Sequence, residues 1–323
     1  RQRQMCIRDR LGLPLTVFRL RDEDQIAVLE MGISDFGEMA RLTKIAKPDT
    51  CVITNIGTCH LENLGDRDGV LKAKTEIFQS MKPNGHIVLN GDDDKLITVR
   101  EYNGVKPVFF GLNSERDVYA DQIESKGLKG VACRIHLGED AFDVLVPTPG
   151  IHMVYNALAA AAVGRIYGLT IEEIRRGIES LETIRGRFKM IETDKFLVVD
   201  DCYNANPMSM KASLDVLHDG EGRRVAILGD MGELGEDEAA LHEGVGIHAA
   251  TCGIDACVCV GDLAVHIAEA ARKANPDFPV YYEKTRESLL EHLNDYVQKG
   301  DTILVKASHF MKFEEVVKAL EEM

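Results

Sequence analysis

Short apolar runs alternate with amphipathic segments from residue 26 onward, and this alternation is the main feature of the chain. Buried strands are predicted for IAVLEMG, TCVITNIG and GHIVLNGDDD, and helices are predicted for FGEMARLTKIA and GVLKAKTEIFQSM. Strands that alternate with helices are typical of a parallel sheet with helices on both faces. The pattern therefore predicts an α/β fold.

The alternation is interrupted once and then resumes. Residues 117–147 switch between apolar and polar side chains and turn at glycines, which predicts a small antiparallel addition, and two helical segments follow. After RGRF at residues 185–188 the strand–helix alternation restarts with FLVVDDCYN, RVAILGD, ACVCVGD, VYYE and TILVKAS. This second series predicts a smaller, Rossmann-like domain.

Three parts of the chain are expected from these patterns. The first ten residues, RQRQMCIRDR, carry four arginines in an acidic chain and lack a signal-peptide core, so we expect an artefactual or foreign leader. Residues 11–185 are expected to form a central parallel-sheet domain, and residues 186–323 the Rossmann-like C-terminal domain.

Composition narrows the class of protein and its partners. The chain has 323 residues, 45% of them hydrophobic, and a net charge of −15 at pH 7. Such an acidic surface disfavours nucleic acid, and no apolar run approaches the ~18 residues of a membrane span. The eight cysteines fall mostly in strand-like runs and lack zinc-ligand spacing. We therefore expect a reduced, cytoplasmic protein without a structural metal.

The two common nucleotide fingerprints are missing from the sequence. No G-x-G-x-x-G occurs, because GDMGELG spaces its glycines differently, and this disfavours a dehydrogenase. The nearest approach to a P-loop is DGVLKAKT, where Asp68 and Ala73 replace the required glycines.

Polar residues nevertheless collect at the predicted strand ends, where open α/β sheets bind ligands. They are Glu30, Asn55, His60, Asp200, Asp201 and Asp230. Any one of them could belong to an ordinary turn, and the set together favours a site.

Seven stretches, taken in order, resemble the Mur ligase family. They are VLEMG, TNIGTCHLENLGDRDGVLKAKTEIF, YNALAAAAVGRIYG, RGRF, VVDDCYNANPMSMKASLDVL, ILGDMGELG and LVKAS. The family has an N-terminal UDP-sugar domain, a central ATPase domain and a C-terminal Rossmann-like domain. This chain resembles the last two, so the resemblance implies an N-terminally truncated ligase without the P-loop.

The resemblance also implies a reaction. Within the family the motifs are most similar to the member that adds D-Ala-D-Ala to UDP-MurNAc-tripeptide in peptidoglycan precursor synthesis. ATP activates the peptide carboxylate as an acyl phosphate, with Mg²⁺, and the dipeptide amine then attacks it. The expected protein is a cytoplasmic, monomeric ATP-dependent ligase that binds no nucleic acid, and the truncated chain is expected to be inactive alone.

Site residues follow from the resemblance. Glu30, His60 and Lys74 are the implied catalytic metal ligands, with Lys74 carbamylated by CO₂. Lys72 must point elsewhere, since residues two apart on a helix lie about 200° apart. The implied nucleotide contacts are Asn156 (adenine), Arg187 (phosphates), Asp201 (which would hold the ribose or align the domain) and Asn204 (phosphate region). The implied dipeptide-site residues are Asn206, Lys306 and Ser308, beside the GDMGELG loop.

Two departures and two alternatives accompany this interpretation. Ala307 and His309 stand where the family pattern VKGSR has glycine and arginine, so the carboxylate-anchoring role of position 309 is open. Asp201, Asn204 and Asn206 could also form an Asx-rich turn before a proline. The alternatives are a folylpolyglutamate- or cyanophycin-type ligase, which DDCYNANP followed by GDMGELG disfavours, and a non-catalytic two-domain fragment.

Overall fold

The computed structural model describes residues 12–57 and 61–323. Their contacts divide the chain into two compact units. Unit 1 comprises the chain up to Ile123, Cys133–Val144 and Val154–Glu179, and unit 2 comprises Glu124–Ala132, Leu145–Met153 and Ser180–Met323. Three short segments of the predicted central domain, residues 124–132, 145–153 and 180–185, therefore belong by contact to unit 2, which the sequence did not indicate.

The first half of the chain forms a six-stranded sheet with helices around it. Its elements are α1 (Gly12–Val17), α2 (Glu38–Ala46), β1 (Thr50–Ile53), α3 (Leu61–Leu64), α4 (Arg67–Thr75), β2 (His86–Asn90), β3 (Val108–Gly111), β4 (Val118–Ser125), β5 (Val131–Leu137), β6 (Asp140–Val146), α5 (Ile151–Ile166) and α6 (Ile171–Glu179). Short 3-10 helices cover Glu76–Ser80 and Leu96–Thr98. The strand order is β1-β2-β3-β4-β5-β6.

Parallel pairing joins β1 to β2, β2 to β3 and β3 to β4. Only residues 126–130 connect β4 to β5, and only residues 138–139 connect β5 to β6. Neighbouring strands with such short connections must be antiparallel, because a parallel crossover needs a dozen or more residues. The predicted antiparallel addition is thus a continuation of the main sheet, and the α/β prediction is confirmed.

The strand predicted for IAVLEMG is wrong. Residues 26–32 have no regular secondary structure, and the side chains of Ile26 and Val28 are 61% and 90% exposed. In the described part of the chain β1 is the terminal strand of the sheet, and its recorded strand partner is β2. An apolar run becomes a strand only where a neighbouring strand accepts its backbone hydrogen bonds, which the sequence of the run alone does not reveal.

Unit 2 has the predicted Rossmann-like arrangement. Its elements are β7 (Lys189–Glu192), β8 (Leu197–Asp200), α7 (Pro207–His218), β9 (Arg224–Gly229), α8 (Glu238–Thr251), β10 (Ala256–Val260), α9 (Ala264–Ala274), β11 (Val280–Glu283), α10 (Arg286–Tyr296), β12 (Thr302–Lys306) and α11 (Glu314–Glu322). The strand order is β11-β10-β9-β12-β8-β7. The recorded pairings are parallel except for β7, a short strand that the sequence did not predict and that runs antiparallel to β8.

Both faces of this sheet are covered. Along β12, Leu304 packs into one apolar cluster, while Ile303 and Val305 pack into another on the opposite face. A strand buried on both sides reads as a continuous apolar run, which is the pattern of TILVKAS. Among the described residues, no helix combines the length and apolar character needed to cross a membrane.

Candidate functional site

Three neighbouring strands of unit 2 end side by side in polar residues. The register pairs Val305 of β12 with Asp200 of β8, and Lys306 of β12 with Leu228 of β9. The carboxyl ends of β8, β12 and β9 therefore form one edge, where parallel sheets bind ligands. We call this edge, with the loops 201–206, 229–235 and 307–310 that leave it, the unit 2 edge.

A buried ion pair organises the centre of the unit 2 edge. Lys306 is 2% exposed, and its Nζ donates to Asp201 Oδ2 at 2.5 Å and to the Asn204 carbonyl at 3.1 Å. Ser213 Oγ donates to the same Asp201 oxygen at 2.7 Å. A buried ammonium needs such partners because its desolvation is costly. Lys306 therefore holds the loop 201–206 from inside the protein.

Ser308 connects two loops of the same edge. Its Oγ accepts the Gly232 N–H at 2.9 Å, and its own N–H donates to the Asp230 carbonyl at 3.0 Å. The residue is buried. Lys306 and Ser308, both predicted to contact a dipeptide, thus direct these polar atoms at other parts of unit 2.

Two buried titratable groups fix the loop 229–235. Asp230 Oδ1 accepts the N–H groups of Leu263 and Ala264 at the start of α9, at 3.1 and 2.7 Å, and burial raises the pKa of this carboxyl. His242 Nε2 accepts the Met231 N–H at 3.0 Å, so the proton is on Nδ1, which lies 2.6 Å from the Glu238 carbonyl. Burial lowers the pKa of His242, which keeps this imidazole neutral.

Arg187 and His309 both contact the ring of Tyr203. The guanidinium carbon of Arg187 lies 4.3 Å from the Tyr203 ring centroid. The His309 ring meets the same ring edge-on, with centroids 5.7 Å apart and planes at 60°. Arg187 and His309 are exposed and Tyr203 is half-buried.

Asn204 and Asn206 have different local roles. Asn206 is the N-cap of α7: its Oδ1 accepts the Ser209 N–H at 2.9 Å, and its N–H donates to Ser209 Oγ at 3.1 Å. Asn204 is exposed, and its Oδ1 accepts the N–H of the next residue, Ala205, at 2.9 Å. Part of the Asx-rich turn anticipated from the sequence is therefore a helix cap.

In unit 1 the chain leaving β1 is held by four side chains. Asn90 Nδ2 donates to the Thr54 carbonyl at 3.0 Å, and Lys74 Nζ donates to the Asn55 carbonyl at 2.8 Å. Arg67 Nε donates to the Ile56 carbonyl at 3.0 Å, and the Ile56 N–H donates to Asp93 Oδ2 at 2.8 Å. Lys74 is half-buried, whereas Lys72 is exposed with its Nζ 5.5 Å from the Phe36 ring centroid. The two lysines diverge, as their spacing predicts.

The other two predicted metal ligands are Glu30 and His60. Glu30 is exposed in the irregular segment that follows Val28, and His60 lies outside the described residues. Within residues 12–57 and 61–323, no three carboxylate, imidazole or thiol side chains are grouped so that they could hold a metal ion. The described residues alone do not build a magnesium site, and that site stays a prediction.

Asn156 lies on the exposed side of α5. Its neighbour Tyr155 donates to Asp92 Oδ2 at 3.2 Å, and Arg116 Nε donates to Asp92 Oδ1 at 3.1 Å. Burial and the Asp92 charge raise the pKa of Tyr155 to about 12, so the phenol remains a donor. These contacts anchor the first turns of α5 and so position Asn156.

Several residues of both sites were not predicted from the sequence. They are Arg67, Asn90, Asp93, Tyr203, Ser213 and His242. Asn90 and Asp93 could have been predicted as site residues, because NGDDD follows a strand that neighbours β1. Ser213 and His242 could not be predicted in this way, since both are on helices and reach the edge only through tertiary packing.

Comparison with known proteins identifies the family. The family model described as Mur ligase middle domain matches residues 2–164, and the one described as Mur ligase, glutamate ligase domain, matches residues 186–309. The chain belongs to the Mur ligase family. The Mur ligase resemblance drawn from the sequence is thereby confirmed.

Individual relatives extend over nearly the whole chain. UDP-N-acetylmuramoyl-tripeptide–D-alanyl-D-alanine ligase of Bacillus subtilis is 37% identical over 315 residues, which cover 97% of this chain and 68% of the relative. The Escherichia coli protein of the same name is 35% identical, with 97% and 69% covered. This chain thus spans about two thirds of the length of both.

Solved structures of the same family superimpose on this chain. MurF from Acinetobacter baumannii superimposes with a TM-score of 0.90 at 32% identity, covering 99% of this chain and 70% of that one. MurF ligase from Thermotoga maritima in complex with ADP gives a TM-score of 0.82 at 29% identity, covering 96% and 70%.

The structure accounts for one of the two departures from the family pattern in this Mur ligase. A Cβ placed on Gly229 would lie 2.6 Å from the Ala307 methyl and 2.8 Å from the Phe313 ring. Ala307 is fully buried. The alanine therefore fits because β9 presents a glycine opposite it.

Proposed function

We propose that this Mur ligase joins D-Ala-D-Ala to UDP-MurNAc-tripeptide, at the expense of ATP, in cytoplasmic synthesis of peptidoglycan precursors. The observation that carries the proposal is the unit 2 edge, where Asp201, Lys306 and Ser308 are organised by buried contacts. The relatives that cover 97% of the chain bear the name of this reaction.

The chemistry needs positioning and charge neutralisation more than a covalent nucleophile on the protein. A carboxylate oxygen of the tripeptide attacks the γ-phosphorus of ATP, and ADP leaves. The amine of D-Ala-D-Ala then attacks the acyl carbon, the C–O bond to phosphate breaks, and inorganic phosphate leaves. The proposed ligands are therefore anions and an amine, held close together.

Within unit 2 we assign contact and support to different residues. Arg187 would bind the ATP phosphates, Asp201 the ribose, and Asn204 the phosphate region. Lys306 and Ser308 would position these groups and the dipeptide loop, because both are buried and bonded within unit 2. Asn206 would act through its cap on α7.

Within unit 1 we assign Asn156 to the adenine and Lys74 to a carbamate. A carbamate on Nζ keeps one N–H, so it is compatible with the hydrogen bond from Lys74 to the Asn55 carbonyl. Glu30, His60 and carbamylated Lys74 are the proposed magnesium ligands. His60 lies outside the described residues, so no step here depends on the metal.

The test is phosphate release with ATP, Mg²⁺, UDP-MurNAc-tripeptide and D-Ala-D-Ala, measured on this chain and on a form extended upstream in its reading frame. We expect release only when both peptide substrates are present. Release with glutamate instead of D-Ala-D-Ala would favour the folylpolyglutamate-type alternative. Activity confined to the extended form would support the predicted truncation, and no activity in either form would favour the non-catalytic fragment.

Lys74 and Lys72 form a matched pair for the carbamate. Lys74→Arg keeps a cationic donor but cannot carry CO₂, and we expect a loss of at least about 100-fold in kcat, the scale of removing one charge-stabilising group. Lys72→Arg, two residues away and exposed, should stay within about twofold of the parent. With ¹³C-bicarbonate, a carbamate signal present in the Lys72 variant and absent in the Lys74 variant would assign the modification.

A further inference from the structure

Tyr203 contacts two exposed side chains that come from different loops of unit 2. The Arg187 guanidinium carbon lies over the ring at 4.3 Å from its centroid, and the His309 ring is in edge-to-face contact with it at 5.7 Å between centroids. Arg187 follows the turn at Gly186, and His309 follows β12. The Tyr203 ring is therefore the common contact between two N–H donors that are far apart in sequence.

Hydrogen bonds also connect the backbone of Tyr203 to the turn at Gly186. The Tyr203 N–H donates to the Gly186 carbonyl at 2.9 Å, and the Gly186 N–H donates to Asp200 Oδ2 at 2.8 Å. Gly186 has φ +77°, and a Cβ there would lie 3.1 Å from the Tyr203 Cβ. These contacts hold the turn that carries Arg187 against the loop that carries Tyr203.

His309 is placed by a different part of the edge. The preceding residue, Ser308, binds the Gly232 N–H, and the ring of the following residue, Phe310, lies 2.9 Å from where a Cβ on Gly232 would be. His309 is therefore next to the loop 229–235, while Arg187 is next to the loop 201–206. Tyr203 lies between these two parts of the edge.

We propose that Tyr203 is a positioning residue that holds Arg187 for the nucleotide phosphates and His309 for the carboxylate of the dipeptide. This inference rests on the proposed function, and it adds His309 as a dipeptide contact. A guanidinium that lies over an aromatic ring can still donate in-plane hydrogen bonds to an anion, and so can an imidazole that is in edge-to-face contact with the ring. One aromatic side chain thus serves both ligands.

Binding measurements test this without requiring turnover. Calorimetry with ADP and Mg²⁺, and separately with D-Ala-D-Ala, is run on the parent protein and on Tyr203→Leu, Tyr203→Phe, Arg187→Ala and His309→Ala. We expect Tyr203→Leu to weaken both ligands by about 2- to 5-fold, the scale of a cation–π contact. Tyr203→Phe keeps the ring and should bind both like the parent.

The pattern across variants separates positioning from general damage. Arg187→Ala should weaken the binding of ADP alone, and His309→Ala should weaken the binding of D-Ala-D-Ala alone. Adding Tyr203→Leu to either variant should reduce the affinity for the same ligand only slightly further. Tyr281→Leu, which removes a ring contact with Tyr296 on the far strand β11, should change neither affinity. Should Tyr203→Leu not fold, Arg187→Lys, which keeps the charge but loses the planar stack, should still weaken ADP alone.

Two failures are distinguishable. If the parent protein binds neither ADP nor D-Ala-D-Ala, both as this chain and as the form extended upstream, the proposed function is overturned, and the ligand-facing role of Tyr203 with it. A parent that binds both while Tyr203→Leu binds equally well, or while Arg187→Lys leaves ADP affinity unchanged, overturns the inference alone.

Discussion

The two sheets of this chain end in polar residues at their carboxyl edges, but the two edges are built differently. At the centre of the unit 2 edge Lys306 is buried and bonded to Asp201, while His309 at the same edge is exposed. In unit 1 the predicted site residues are more open: Glu30 and Asn156 are exposed, and Lys74 is half-buried. The side chains around Lys74 bind the backbone that leaves β1, and Arg67 also pairs with the exposed carboxylate of Asp94.

Because of this difference, substitutions at the two edges should have different effects on stability and on ligand binding. Where site residues are paired inside one unit, a substitution leaves a buried charge or donor without its partner and destabilises that unit. Where they lie open beside a supported loop, a substitution removes a ligand contact and leaves the fold intact. We therefore expect variants of the paired residues Lys306 and Asp201 to lose stability first, and variants of the unit 1 site residues to lose activity first.

The largest contrast is expected between Lys306→Met and Lys74→Met. Lys306→Met leaves the carboxylate of Asp201 without its cation and should lower the free energy of unfolding by about 3–5 kcal/mol. Lys74→Met removes the hydrogen bond to the Asn55 carbonyl, on a half-buried side chain, and should cost about 1 kcal/mol. Urea unfolding monitored by circular dichroism measures both.

A double variant checks the cause of that loss. Adding Asp201→Asn to Lys306→Met removes the unpaired charge and should restore part of the stability. Equal stability losses for the two lysine variants would contradict the comparison between the edges.

A smaller loss is expected at Gly186. Gly186 and Gly168 both have φ +77°, so alanine is strained at either position. Only at Gly186 would the new Cβ meet Tyr203, since nothing lies within 4 Å at Gly168. We expect Gly186→Ala to cost about 2 kcal/mol and Gly168→Ala about 1 kcal/mol. Thermal unfolding of the pair measures the difference, and a larger loss at Gly168 would contradict the packing described for Tyr203.

Acid should destabilise unit 2 through His242. Its folded-state pKa is lowered by burial, so below about pH 6.5 the unfolded chain takes up a proton that the folded protein does not. The contribution of His242 to stability is therefore complete above that pH and is lost as the pH falls toward the folded pKa, by at most about 1.4 kcal/mol per pH unit.

Two variants on α8 isolate that effect. His242→Gln, with no titrating ring, should lose less stability than the parent between pH 6.5 and 5 in urea titrations. His248→Gln removes an imidazole that pairs with Asp215 at the surface, and it should retain the acid sensitivity that His242 causes. An unchanged pH dependence in His242→Gln would assign the acid sensitivity elsewhere.

The smallest effect concerns the two asparagines of the unit 2 edge. Asn206→Ala removes the cap of α7 and should cost about 1 kcal/mol of stability, whereas Asn204→Ala should cost less than about 0.5 kcal/mol. The expected order reverses for ADP affinity, where Asn204→Ala should have the greater effect. A stable Asn206→Ala protein with impaired binding would instead make Asn206 a direct ligand contact.

Much of this fold was predictable because strand and helix periods are properties of the local sequence. The polar strand ends of unit 2 were predictable as well, since parallel strands bring their carboxyl ends to one edge. The sequence contains two further local signals. NPMS has an N-cap, a proline at N1 and a serine at N3, and TILVKAS continues a fully buried strand into Lys306. The first predicts the cap by Asn206, and the second predicts a buried, paired lysine.

The rest depends on tertiary contacts that local patterns do not contain. IAVLEMG has the composition of a strand but no neighbouring strand in the described structure. Tyr203 meets Arg187 and His309 only after three loops of unit 2 come together. His242 reaches the loop 229–235 from α8, and nothing in the local sequence of that helix indicates this contact.

One labelling measurement tests the central claim most directly. UDP-MurNAc-tripeptide carrying ¹⁸O in its terminal carboxylate is incubated with the enzyme, ATP, Mg²⁺ and D-Ala-D-Ala, and the product and inorganic phosphate are analysed by mass spectrometry. We expect a pentapeptide product and one ¹⁸O atom in each phosphate, because the carboxylate oxygen leaves with the phosphate. Phosphate without ¹⁸O, or phosphate release without a pentapeptide, would contradict the proposed reaction.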